Sequence, residues 1–270
     1  MKIIISHDVD HLHVSEHFCD LIIPKFVVRA KIELLTGKIS MGEFFTRMGE
    51  LFGNKWNRLE EIIEFNKQHH IPATFFVGVK NGLGLNYSLE KASRAIKFIQ
   101  SRGCEVGVHG IAFDNQADVQ KEFDNFAEII GHKDFGIRMH YLRNNDDTLT
   151  YLSNAGYLFD TTLPEQKPTY NIANFTEFPV HIMDGWMMNR QKAWQVNNLQ
   201  QALDDSKQII DEGLKNEIDY FSILFHDRYF SNGFKTWKEW YVRLMEYLIQ
   251  NNFEFVDYKM ALKERVKQHD

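Results

Sequence analysis

The stretch that decides the fold lies at the start of the chain, where residues 3–11 read IIISHDVDH. An apolar run that ends abruptly in charged residues is typical of a buried parallel strand leading into a polar loop. Residues two apart on a strand point to the same side, so Asp8 and Asp10 are expected to lie close enough to change each other's pKa. The chain therefore opens with a strand that delivers two carboxylates to one end of a sheet.

Short apolar runs of this kind recur along the chain and alternate with helix-like segments. The runs are Ile3–Ser6, Ala73–Gly78, Glu105–Val108, Phe135–Arg138, Leu158–Asp160, Phe178–Ile182, Tyr220–Phe225 and Phe253–Val256. Strands that alternate with helices indicate a parallel sheet. About eight strands in roughly 250 residues favour an α/β fold of the (β/α)-barrel kind, with about seven to eight parallel strands.

One segment interrupts this alternation. Residues 18–57, approximately, contain no convincing strand, only helical patterns such as Phe26–Leu35 and Met41–Phe52. We interpret them as a helical insertion after the first strand, within a single domain that spans residues 1–270. The sequence leaves open whether this insertion caps a site or enlarges the core.

Composition excludes several classes of protein. The 270 residues carry a net charge of −6, which argues against a nucleic-acid backbone as the main partner. No apolar stretch reaches the roughly 18 residues of a membrane span, and no apolar leader precedes the first charged residues. Two cysteines, Cys19 and Cys104, are too few for a disulfide framework. We therefore expect a cytoplasmic protein without a membrane span, and the oligomeric state stays open.

Ionisable side chains follow nearly every predicted strand. They are His7, Asp8, Asp10, His11 and His13; His109 and Asp114; Arg138, His140, Tyr141 and Arg143; Asp160; His181 and Asp184; and His226, Asp227 and Arg228. Because parallel strands end at one mouth, this convergence predicts a functional site. Carboxylates and imidazoles suit Zn²⁺ and other divalent metals, so the set indicates metal-assisted hydrolysis. The chain has no Gly-rich phosphate loop and no Gly-x-Ser-x-Gly nucleophile motif.

Many of these positions lie in five motifs that resemble, in order, those of the polysaccharide deacetylases (carbohydrate esterase family 4, nodulation-protein-B-like). Residues 6–11 (SHDVDH) resemble the first motif in its Asp-x-Asp variant, and residues 107–110 (GVHG) followed by Asp114 resemble the second. Residues 136–141 (GIRMHY), 159–162 (FDTT) and 223–227 (ILFHD) resemble the third, fourth and fifth. The resemblance implies a distorted (β/α) barrel, in agreement with the strand pattern.

The resemblance also implies catalytic roles. Asp8 would be the general base that activates water, held and tuned by Arg138. His226 would be the general acid that protonates the leaving amine, and Asp160 would orient His226 or stabilise its charge.

The implied cofactor is a divalent metal, with Zn²⁺ as the expected ion. Asp10 and His109 would be ligands, but Phe113 stands where the family usually has a second histidine. Asp114 is the nearest substitute for that third ligand, and its alternative role is to cap the helix that follows. Two outside candidates for the third ligand are His11 and His140.

Together these features predict a metal-dependent hydrolase that removes an N-acetyl group, less readily an O-acetyl group, from a sugar or surface-polysaccharide precursor. One alternative is a hydrolase of another amide or cyclic imide on the same fold. The other, suggested by Phe113, is a metal-free carbohydrate-binding pseudoenzyme. Five aromatic residues lie near predicted loops: Tyr141, Trp186, Trp194, Tyr229 and Trp237. Their rings are of the kind that stacks on sugars, but for most of them we expect packing within the protein.

Overall fold

The computed structural model describes residues 1–172, 175–189 and 198–269. Its strands are β1 (Lys2–Val9), β2 (Ala73–Val77), β3 (Glu105–Gly110), β4 (Ile137–Met139), β5 (Phe159–Asp160), β6 (Tyr170–Ile172), β7 (Phe175–Glu177), β8 (Val180–Met183), β9 (Tyr220–Leu224) and β10 (Phe255–Val256). Its α-helices are α1 (Ile22–Leu35), α2 (Met41–Glu50), α3 (Leu59–Gln68), α4 (Leu89–Ser101), α5 (Gln116–Ile130), α6 (Thr148–Ala155), α7 (Asp184–Met188), α8 (Leu199–Lys215), α9 (Lys235–Gln250) and α10 (Tyr258–His269).

The strands form one curled sheet in the order β6-β7-β5-β4-β3-β2-β1-β9-β8, with β10 paired to the start of β1. All described pairs are parallel except β6 with β7. The first strand lies inside the sheet between β2 and β9, and its apolar side chains, Ile3, Ile4, Ile5 and Val9, are all fully buried. The predicted α/β fold with a distorted, mostly parallel (β/α) barrel is confirmed.

Two strands were not predicted from the sequence. The β6 and β7 strands are three residues long, and the side chains of β6 remain partly or fully exposed, so no apolar run marks that strand. Each of the eight predicted runs contains or overlaps a strand of the sheet.

The predicted helical insertion is also present, as a short 3₁₀ turn followed by α1 and α2. Ser40 begins α2 with a capping box, in which its hydroxyl accepts from the backbone of Glu43 and the Glu43 carboxylate accepts from the backbone of Ser40. The buried carboxylate of Glu33 joins the two helices, since it lies 2.5 Å from Arg47 and 2.7 Å from Arg29. The insertion is therefore tied together by a buried charge cluster. No helix in the described part of the chain is both long and apolar enough to cross a bilayer.

The gap between β8 and the opposite edge of the sheet is bridged by loop residues 163–167. His181 on β8 is central to this bridge: its Nε2 donates to the Lys167 carbonyl (3.0 Å), and its Nδ1 accepts from the Ser222 backbone amide (3.0 Å). This arrangement requires a neutral ring, and burial lowers the pKa of His181 to about 4. His181 therefore has a structural role, since it joins β8 to the loop and to β9.

The neutral state of His181 makes stability depend on pH. Its unfolded pKa is 6.5, so the unfolded chain takes up the proton first as the pH falls, and the stabilisation present above pH 6.5 is lost toward pH 4. In His181→Gln, we expect the drop in the free energy of unfolding between pH 7 and pH 5 to be smaller by about 2 kcal/mol than in the parent protein. Urea titrations at both pH values measure this drop. The exposed His132→Gln is the control, and an unchanged drop in His181→Gln would contradict the assignment.

Candidate active site

The carboxyl ends of β1, β3, β4 and β9 meet around one cavity of about 270 Å³. Asp8 reaches it from β1, Asp10 from the residue after β1, His109 from β3, and His226 from the second residue after β9. In the sheet, His109 is in register with Arg138 of β4, which places the two predicted motifs side by side. The convergence expected of parallel strands is thus observed.

Three side chains in this cavity form a cluster suited to a metal ion. Asp10, His109 and His140 each offer a ligand atom, and these atoms lie within 4.8 Å of one another. The Asp10 Oδ1 atom lies 3.2 Å from His109 Nε2 and 3.4 Å from His140 Nδ1, and those two nitrogens are 2.9 Å apart.

Backbone carbonyls fix which nitrogen of each ring faces the cluster. His109 Nδ1 lies 3.1 Å from the Arg138 carbonyl, and His140 Nε2 lies 3.2 Å from the Leu83 carbonyl. A carbonyl only accepts, so these two nitrogens carry the protons in neutral rings, and lone pairs then face the cluster. Asp10 Oδ1 is buried there without an aligned hydrogen-bond donor. Two lone pairs and a carboxylate oxygen that converge in this way fit a divalent cation such as Zn²⁺.

A buried ion pair adjoins the cluster. Arg138 is fully buried, and its Nη1 donates to Asp8 Oδ1 at 3.0 Å, while Asp8 Oδ2 lies 3.8 Å from His109 Nε2. Burial alone would raise the pKa of Asp8, but the positive charges that His109 carries when protonated and that Arg138 carries permanently lower it below its ordinary value. Asp8 is therefore an ionised carboxylate at neutral pH, as a general base must be.

On the opposite wall, His226 pairs with Asp184, the first residue of α7. His226 Nδ1 donates to Asp184 Oδ1 at 2.9 Å, and the His226 backbone amide donates to Asp184 Oδ2 at 2.7 Å. Burial opposes protonation, but the Asp184 carboxylate prevails and raises the pKa of His226 well above its ordinary value. The Nε2 atom of His226 faces the cavity 3.8 Å from Asp10 Oδ2. This geometry suits a protonated general acid.

Asp160 does not occupy the position beside His226 that the sequence analysis gave it. It ends β5, where its Oδ1 accepts from the Thr162 hydroxyl at 2.6 Å, and it is in register with Glu177. Burial raises the pKa of Asp160 to about 6. The partner of His226 is Asp184 because β8 and β9 are neighbours, whereas β4, β3, β2 and β1 separate β5 from β9 in the sheet.

Asp114 likewise lies apart from the cluster. It is exposed, and Asn115 rather than Asp114 caps α5. The chain after β3 is turned by Glu122, whose carboxylate accepts from the backbone amides of Ile111 and Ala112.

His140 is the third member of the cluster. The cluster therefore still has three candidate ligands although Phe113 replaces the family's second histidine. The sequence indicates His140 only by its position, because it directly follows β4, the strand that neighbours β3.

The remaining candidates have structural positions. His11 lies in the wall of an adjoining cavity, where its Nδ1 is 3.0 Å from His17 Nε2 and its ring packs against Trp56. Among the predicted aromatic residues, Tyr141 and Trp186 line the active-site cavity and Tyr229 the adjoining one, whereas Trp237 is buried in the core. Trp194 lies outside the described residues.

No family model matches this sequence, and no curated protein matches it. Solved structures do resemble it. A Mycobacterium smegmatis protein assigned as a polysaccharide deacetylase is 18% identical, with 99% of this chain and 90% of that chain covered and a TM-score of 0.64. An allantoinase is 14% identical over 95% and 86% of the two chains, with a TM-score of 0.62. A carbohydrate esterase family 4 pseudoenzyme from Bacillus anthracis is 10% identical over 96% and 64%, with a TM-score of 0.50. These similarities establish the fold.

The cluster predicts which substitutions remove metal. We expect Asp10→Asn, His109→Gln and His140→Gln each to lower the bound zinc per chain well below that of the parent protein, because each removes one ligand atom. Elemental analysis after dialysis against Zn²⁺ measures this content, with circular dichroism to verify the fold. Asp114→Asn is the control and should retain parental zinc. Loss of zinc in Asp114→Asn would show that Asp114 is a ligand, and full zinc in His140→Gln would show that His140 is not one.

Proposed function

We propose that this protein is a metal-dependent hydrolase that removes an N-acetyl group from a sugar or surface-polysaccharide precursor. The observation that carries this proposal is the arrangement in one cavity of an ionised base, a cation-binding cluster and a protonated acid. Asp8 lies next to His109 of the cluster and His226 next to Asp10, and each is held by a buried partner of opposite charge. General acid–base cleavage of an amide requires this division of roles.

The residues perform the reaction in two proton transfers. A bound divalent cation would supply Lewis acidity, polarising the acetyl carbonyl and making water easier to deprotonate. Asp8 takes the proton of the attacking water as the new C–O bond forms. His226 Nε2 then donates its proton to the sugar nitrogen as the C–N bond breaks, which releases acetate and a free amine. Arg138 and Asp184 keep the base ionised and the acid protonated.

A sugar substrate is supported by the motifs and by the aromatic side chains at the mouth. Tyr141 and Trp186 are 71% and 37% exposed beside the cluster, so their faces are available to a sugar ring. The same acid and base would cleave other amides, and the fold similarity to an allantoinase makes a cyclic ureide the appropriate second substrate to assay.

Acetate release tests this proposal directly. Zinc-loaded protein is incubated with N-acetylglucosamine oligomers, O-acetylated sugars and allantoin, and the products are measured before and after chelation. We expect acetate from the N-acetyl sugars that disappears with chelator and returns with Zn²⁺. Turnover of allantoin alone would favour the amide-hydrolase alternative. Sugar binding without turnover of any substrate would identify a pseudoenzyme.

The acid assignment predicts a change in the pH profile. Because the carboxylate raises the pKa of His226, Asp184→Asn should move the alkaline limb of kcat to lower pH, and should reduce kcat by about 10²–10⁴-fold. Asp160→Asn is the matched variant, and its alkaline limb should stay in place. Zinc content should be parental in both proteins. An alkaline limb that moves in Asp160→Asn but not in Asp184→Asn would return Asp160 to the role predicted from the sequence.

A further inference from the structure

We infer that the helical insertion forms a phosphate-binding subsite beside the metal cluster, so that the sugar substrate carries a phosphate group. This inference names the substrate class within the proposed function, and it rests on that function only for the acetyl transfer to water. The basis for the subsite is a second cavity and the cations that line it.

This second cavity, of about 220 Å³, adjoins the active-site cavity. The two share Asp10, His140 and Tyr141 in their walls. A substrate whose acetyl group reaches the cluster therefore has another part of its structure next to the second cavity.

The lining of the second cavity is strongly basic. Its only carboxylate in the described part of the chain is Asp10, which belongs to the metal cluster. The cations that line it come from the insertion and from the turn after β9: Lys25, Arg29, Arg47 and Arg228. This excess of positive charge suits an anionic ligand.

The surroundings of Arg228 give the strongest support for an anionic ligand. It is 8% exposed, and its guanidinium lies over the rings of Trp56 (3.9 Å) and Phe26 (4.7 Å). Its Nη1 is 3.5 Å from the Trp56 carbonyl, and its Nη2 is buried without an acceptor among the described residues. A buried guanidinium donor without an acceptor is costly, and phosphate oxygens match its geometry.

No carboxylate in the described part of the chain forms an ion pair or hydrogen bond with Arg228. Glu33 pairs with both Arg29 and Arg47, and Glu50 pairs with Arg58 at 2.7 Å. Asp227 Oδ2 accepts from the Arg58 backbone amide, and its Oδ1 is buried without a hydrogen-bond partner among the described residues. Burial raises the pKa of Asp227 to about 7.

Lys25, which is exposed at the edge of the cavity, has no ion-pair partner in the described part of the chain. Among the described residues, two positive charges at this cavity, one buried and one exposed, thus lack a carboxylate partner. A phosphate group held between Arg228 and Lys25 would give each of them an anionic partner.

Binding measurements separate this subsite from the catalytic proposal. Calorimetry on the zinc-loaded protein compares N-acetylglucosamine 1-phosphate with the methyl glycoside of the same sugar. We expect the phosphorylated sugar to bind at least about tenfold more tightly, as hydrogen bonds to charged groups typically provide. Arg228→Met should abolish this preference, and Lys25→Gln should reduce it. Lys31→Gln, an exposed lysine on the same helix, should leave it unchanged.

Lys25→Gln keeps the test decisive if Arg228→Met does not fold, because Lys25 is exposed. Equal binding of the two sugars by the parent protein would overturn the subsite, as would a preference that survives in Lys25→Gln as fully as in Lys31→Gln. A preference in binding without acetate release from any sugar would support the subsite and overturn the proposed function.

Besides the free sugar phosphate, nucleotide sugars and lipid-linked sugar phosphates carry this group. Assays with uridine-diphosphate N-acetylglucosamine and with a short prenyl-phosphate ester of the same sugar distinguish them. A kcat/KM above that of the methyl glycoside for either compound supports the subsite and identifies the source of its phosphate. If the protein deacetylates the methyl glycoside, values at or below that of the methyl glycoside for both compounds overturn the subsite.

Discussion

The buried ion pair between Asp8 and Arg138 is the interaction on which the rest of the structure depends. Besides Asp8, the guanidinium donates to the Thr161 carbonyl, the Thr161 hydroxyl and the Tyr258 hydroxyl, so one side chain joins β1, β4, the segment after β5 and α10. Loss of either charge would leave the other buried and unpaired, which typically costs about 3–5 kcal/mol. The interaction that orders the centre of the barrel is therefore also the one that ionises the candidate base.

The other site residues are held by the same principle, because each has a partner on a neighbouring strand or loop. Backbone carbonyls of Arg138 and Leu83 set the tautomers of His109 and His140, and Asp184 orients His226. Main-chain acceptors do not rotate, so the ligand nitrogens face the cluster before any cation arrives. This preorganisation is what a catalytic metal site requires of the residues around its ligands.

The sequence predicted the first strand, the alternation of strands and helices, the insertion and the convergence of Asp8, Asp10, His109, Arg138 and His226. These features follow from apolar periodicity and from the common end of parallel strands. Two assignments required the three-dimensional path. Asp114 follows the correct strand but the loop carries it to the surface, and Asp160 ends a strand remote from His226 in the sheet. Adjacency of the consecutive strands β8 and β9 would have favoured Asp184.

The helical insertion gives the site a polarity that the barrel alone lacks. The chain carries a net charge of −6, so its long-range field opposes an anionic substrate. That field is screened over about 8 Å at physiological ionic strength, and only charges in the cavity wall act strongly on a bound molecule. The barrel supplies the carboxylates Asp8 and Asp10, whereas the insertion and the turn after β9 supply cations across a shared wall. A substrate with a reactive amide and a distant anionic group would therefore bind in one orientation, with the amide at the cluster.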